Sequence, residues 1–151
     1  MRTMFAMTRR RLQKLIDTER IREAIEAGEK RTSGEIRVSV APWFWGNVER
    51  AAERAFGRLG MSQTAERNGV LFFLVPSRQT FVVRGDEGIH AHVGQDFWDH
   101  LVGAMSMYFR RGEFTQGLVF GIHAASEQLA LHFPYDAKRD VNELPNDVDL
   151  P

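Results

Sequence analysis

The sequence predicts an α/β fold, a three-layer α/β/α sandwich around a mixed sheet, with further helices towards the C-terminus. Three observations lead there. Val70-Leu71-Phe72-Phe73-Leu74-Val75 is an uninterrupted apolar run between Asn68-Gly69 and Pro76-Ser77. Its brevity and its β-branched and aromatic content fit a strand buried on both faces. The strand-like segment before it is separated by a helical stripe, a crossover that makes the two strands parallel and right-handed. The run after it, Thr80–Arg84, follows a tight turn at Pro76-Ser77-Arg78-Gln79 and so pairs antiparallel as a hairpin.

A chain of 151 residues is long enough for one domain with a substantial core. Twenty basic side chains balance twenty acidic ones, so bulk charge gives no reason to expect nucleic acid as a partner. The absence of cysteine excludes disulfides, thiolate metal sites and a cysteine nucleophile. Arg9-Arg10-Arg11 is not followed by an apolar segment, and nothing is long enough to span a bilayer. The expectation is a cytoplasmic protein without a membrane span.

Leu12, Leu15, Ile16, Ile21, Ala24 and Ile25 follow helical spacing between about Thr8 and Lys30, with Asp17 or Thr18 capping a second segment. Residues 1–16 read as a basic helical extension to a domain at 17–134. Ile36, Val38 and Val40 alternate with Arg37 and Ser39, a strand covered more on one side than the other. Pro42-Trp43-Phe44-Trp45-Gly46 is an aromatic loop, either a lid on its own domain or a contact surface. Asn47 caps a helix with an apolar stripe from Val48 to Leu59, and Gly60 stops it.

Beyond Gly88 the chain reads as helical. Phe97, Trp98, Leu101, Val102, Met105 and Phe109 mark one helix, and Leu118, Ile122, Ala125 and Leu129 another. Gly117 and Gly121 lie one turn apart and permit close packing. Residues 135–151 read as a polar, proline-broken tail without a core of its own.

This topology brings three loops to one end of the sheet: Ser33-Gly34-Glu35, Glu66-Arg67-Asn68-Gly69 and Arg84-Gly85-Asp86-Glu87-Gly88. Carboxylates gathered there repel unless a hard cation, hydrogen bonds or arginines hold them. Two readings stand. Glu35, Asp86 and Glu87 bind Ca²⁺ or Mg²⁺ in a cleft lined by Glu66, Arg67, Asn68, Gly69, Arg84, Gly85, Gly88 and His90. Alternatively, the acids pair with Arg31, Arg67 and Arg84 at a wet edge. His90-Ala91-His92 has strand-like spacing, but His-x-His without a third ligand is a weak metal signal. No nucleophile elbow or glycine-rich phosphate loop is present.

Thr32-Ser33-Gly34-Glu35-Ile36-Arg37-Val38, Arg67-Asn68-Gly69-Val70-Leu71, Gly85-Asp86-Glu87-Gly88-Ile89 and Phe109-Arg110-Arg111-Gly112-Glu113-Phe114 together resemble the TPM domain. The tail Asp140-Val141-Asn142-Glu143-Leu144-Pro145 is similar to the end of small stand-alone bacterial members. The resemblance implies the same sandwich with its cleft at the loop edge, a bound divalent cation in some members, and acid phosphatase activity in plant members. The chain departs from the usual pattern at Arg67, where many members carry an acid, and at His90-Ala91-His92, where many carry Thr-Asp.

Two functions follow as expectations. One is a cation-binding interaction or regulatory module, read by a protein partner, with a homodimer left open. The other is a metal-assisted phosphatase of low activity, in which Arg67 or Arg84 steadies phosphoryl charge. The residues name no committed general base, which leaves open whether the chain is an enzyme.

Overall fold

The computed structural model describes residues 8–137 and 144–151. Residues 1–7 of the N-terminal extension and Asp140–Glu143 of the tail motif lie outside the described residues. Two helices, α1 (Arg9–Leu15) and α2 (Thr18–Glu29), lead into β1 (Glu35–Val40). They are followed by α3 (Val48–Arg58), β2 (Gly69–Val75), β3 (Thr80–Gly85), α4 (Glu87–Arg110) and α5 (Phe114–His132). The sheet order is β1-β2-β3. β1 runs parallel to β2, from Glu35 opposite Gly69 to Val40 opposite Leu74. β3 returns antiparallel, with Gly85 opposite Val70 and Thr80 opposite Val75.

Period-two alternation sorts the side chains of β2 into two cores. Val70, Phe72 and Leu74 join Ile36, Val38 and Val40 beneath α2, α4 and α5. Leu71, Phe73 and Val75 face the other way, against Ala51, Ala52, Ala55 and Phe56 of α3. All seven residues of β2 are buried, as a central strand between two helical layers requires. Asp17 is the cap of α2, accepting from the Arg20 amide at 3.1 Å. Asn47 does the same for α3, accepting from the amides of Glu49 and Arg50.

Two features differ from the sequence reading. Leu12 and Ile16 are buried in the same core as Ile21 and Ile25, so residue 16 marks no boundary in packing. The tail end is also docked. Asp149 bridges to Ser39, its amide donating to the Val38 carbonyl while its own carbonyl accepts from the Val40 amide. That strap covers Arg37 and Ser39, which is why the whole of β1 is buried rather than one face of it. The chain beyond Gly88 is helical as expected: α4 begins at Glu87, and the strand-like spacing of His90 and His92 falls within its first turns. Gly94, at φ 74° and ψ 172°, breaks its helical geometry after the first two turns. Further along, an added Cβ at Gly117 would lie 2.5 Å from the Phe109 ring, and one at Gly121 would lie 2.7 Å from Met105 Sδ. The α4–α5 contact therefore depends on both glycines, as their spacing suggests.

Candidate functional site

The starts of β1 and β2 and the finish of β3 meet at one end of the sheet, as the topology predicts. The last two of these loops are stitched together by backbone. The Asp86 amide donates to the Gly69 carbonyl at 2.8 Å, and the Gly88 amide donates to the Arg67 carbonyl at 2.8 Å. The approach is so close that a Cβ on Gly88 would lie 2.2 Å from the Glu66 carbonyl oxygen. Asn68, 1% exposed, bridges to the first loop by donating from Nδ2 to Ser33 Oγ at 3.4 Å, while its Oδ1 has no hydrogen-bond partner.

Arg67 is the organising side chain. Its Nε donates to Asp86 Oδ2 at 2.6 Å and its Nη2 to Asp86 Oδ1 at 3.0 Å, a fork-to-fork pair. Its Nη1 lies 3.2 Å from Glu87 Oε1. Hydrogen bonding to Asp86 holds the guanidinium above its ordinary pKa. The backbone of Arg67 is left-handed, at φ 51°, a conformation that disfavours side chains other than those of Gly, Asn and Asp. The Asp86 pair and the Gly88 bond hold it there. Asp86, 4% exposed, also caps α4, accepting from the Glu87 amide at 2.8 Å.

Glu35 does not join them. It is 3% exposed and faces Glu29 at the end of α2. Glu29 Oε2 accepts from the Ile36 amide at 2.8 Å. Burial, and then the neighbouring Glu35 charge, push the Glu29 carboxyl up to about 9, so the two acids share a proton at neutral pH. Sequence reading missed Glu29. Its signal was an acid in the last turn of a helix, where the dipole disfavours one.

Arg84 and His90 are elsewhere too. Arg84 stacks over the Phe56 ring at 4.9 Å and reaches Glu53 of α3 at 3.7 Å. His90 Nδ1 accepts from Trp98 Nε1 at 3.0 Å. With Gly85 they line a shallow depression beside the end of β3, whose lining does not include Asp86 or Glu87. His92 stacks on His132 with ring centroids 4.5 Å apart, so His90 and His92 diverge. Glu66 is exposed and contributes its carbonyl, at the Gly88 approach.

A divalent cation does not fit this edge as it stands. Among the described residues no three His, Asp or Glu side chains converge as ligands, and Glu35, Asp86 and Glu87 do not form one group. The guanidinium of Arg67 sits where a cation would neutralise Asp86 and Glu87. Chemically, the edge is a closed Arg67–Asp86 ion pair with the exposed acids Glu87 and Glu66 beside it and a buried amide side chain, Asn68, behind it.

A family model described as the TPM domain matches residues 13–128. Among solved structures, the chain is similar to the BA42 protein of the psychrophilic bacterium Bizionia argentinensis. Identity is 40%, covering 89% of this chain and 92% of that one, with a TM-score of 0.82. The N-terminal domain of cg2496 from Corynebacterium glutamicum shares the fold at 16% identity and a TM-score of 0.55, over 74% and 70% of the two chains. No curated protein matches. The family model spans well over half of the chain and the 40% identical structure covers most of it, so the chain belongs to the TPM domain family.

Proposed function

We propose that this TPM domain is an interaction module, read by a protein partner at its loop edge, rather than a phosphatase. The observation that supports this reading is the Arg67–Asp86 pair. A metal-assisted hydrolase needs carboxylates free to hold an ion and a base free to move a proton. Here Asp86 is engaged by a guanidinium and by the first amide of α4. Glu87 is exposed beside the same arginine. Glu29, the carboxyl held protonated at neutral pH, is engaged by Glu35 and the Ile36 amide.

In this reading the chain supplies its own cation. Ca²⁺ or Mg²⁺ engages the edge only in exchange for Arg67, which makes metal an effector of the surface rather than a resident part of it. The test is hydrolysis of an aryl phosphate with each metal and with chelator. The module reading expects no metal-dependent rate and no effect of Glu87→Gln. A metal-dependent turnover of about one per second or faster that collapses in Glu87→Gln contradicts it.

A further inference from the structure

The opposite end of the sheet carries a second surface. After β1 the chain enters the aromatic loop, which is firmly seated. Ser77 donates to the Pro42 carbonyl at 2.8 Å, and Phe44 packs against the α3-side core beneath the Arg78 guanidinium, 4.7 Å from its ring centre. Phe44 is therefore the lid that the sequence allowed for. The two tryptophans are not. Trp45 is 75% exposed and Trp43 37%, the pair packed edge to face at 4.5 Å.

Arginines surround them. Arg50 and Arg54 stand one turn apart on the exposed side of α3, and Arg54 lines the shallow cleft that the tryptophans also line. Arg54 donates to the Trp45 carbonyl at 3.5 Å. Among the described residues, Arg50, Arg54 and Arg78 have no Asp or Glu partner, although acids and bases balance over the whole chain. By contrast Arg58, next along the same row, is held by Asp149. The arginine at the loop edge, Arg67, is thus neutralised within the chain, whereas those around the tryptophans are not.

We propose that this end docks on a membrane surface rich in anionic headgroups. Indole rings favour the headgroup level of a bilayer, where an apolar body and an N–H donor are both accommodated. Unpaired arginines nearby are attracted to lipid phosphates, and no spanning helix is required. The shape decides between lipid and an acidic peptide. Trp45 stands out from the surface beside a cleft open to solvent, which suits insertion into a plane better than enclosure of a chain.

The experiment uses the full chain with phosphatidylcholine vesicles, with and without phosphatidylglycerol, at low and high salt. Co-sedimentation and tryptophan quenching by brominated lipid are the readouts. Binding is expected only with phosphatidylglycerol, to weaken with salt, and to quench emission from the exposed pair. Arg54→Ala should lower partitioning about fivefold, and Trp45→Ala should lower both partitioning and quenching. Both residues are surface-exposed, so unchanged circular dichroism verifies folding. Absence of binding at low salt overturns the proposal. So does binding that survives Trp45→Ala and Arg54→Ala, or saturable binding of a glutamate-rich peptide without binding to vesicles.

Discussion

Arg67 and Asp86, 19 positions apart, are joined by two parallel hydrogen bonds of 2.6 and 3.0 Å across the end of the sheet. The pair links the loop before β2 to the helix after β3, the junction at which the family resemblance expects a cation. It also holds Arg67 in a left-handed conformation that a side chain of its size does not favour. An intramolecular charge at this junction ties the two loops together.

Gly88 tests the geometry of that junction. A Cβ there would lie 2.2 Å from the Glu66 carbonyl oxygen and 2.6 Å from that of Arg67, and backbone cannot step aside as a side chain can. Gly88→Ala should cost at least the roughly 1–3 kcal/mol typical of overpacking, read as a lowered Tm. Gly103→Ala on the same helix meets nothing within 4 Å and should be neutral or stabilising by up to ~1 kcal/mol.

Glu29 makes stability depend on pH. Its carboxyl has an ordinary value of 4.5 and in the folded chain is pushed up to about 9, by burial first and Glu35 second. Between those values the native state keeps a proton that the unfolded chain releases, so stability falls as pH rises across the window. Glu29→Gln mimics the protonated form and still accepts from the Ile36 amide. Denaturant unfolding should find the variant more stable than the parent at pH 8, by on the order of 1 kcal/mol, and the two closer at pH 5.

The strap at Asp149 behaves in the opposite sense. Burial alone would raise its pKa, but hydrogen bonds from Arg58 and Ser39, with the charges of Arg58 and Arg37, outweigh burial and hold it low. Its stabilising contribution is present above the ordinary carboxylate range and is lost as pH falls through it. At neutral pH, Asp149→Asn should loosen the strap. The Val40 amide, which donates to the Asp149 carbonyl at 2.9 Å, should then exchange about tenfold faster.

The sheet was legible because its signals are local. An apolar run between turn residues, a helical stripe and a short link fix β2, the parallel partner and the hairpin, and from these the meeting of three loops follows. Pairings between distant residues were legible only in part. Pairing of the edge acids with arginine was one of the two open readings, and it holds for Arg67 with Asp86 and Glu87; nothing in the spacing tells that Glu35 turns to Glu29 or that Asp149 returns to Ser39. The helix beyond Gly88 was legible too, although Gly94 interrupts its period and the apolar repeat is plain only from Phe97 onward. The tail looked coreless because the surface it covers belongs to β1.

The central claim is that Arg67 and a divalent cation compete for the same carboxylates. The most direct measurement is a Ca²⁺ and Mg²⁺ titration of the parent and Arg67→Gln side by side, following Tm and the amide resonances of Asp86 and Glu87. The account predicts a parent that is flat to millimolar metal and a variant that gains a metal-dependent rise in Tm with shifts at both amides. A parent that binds metal as tightly as the variant, or more tightly, would contradict it.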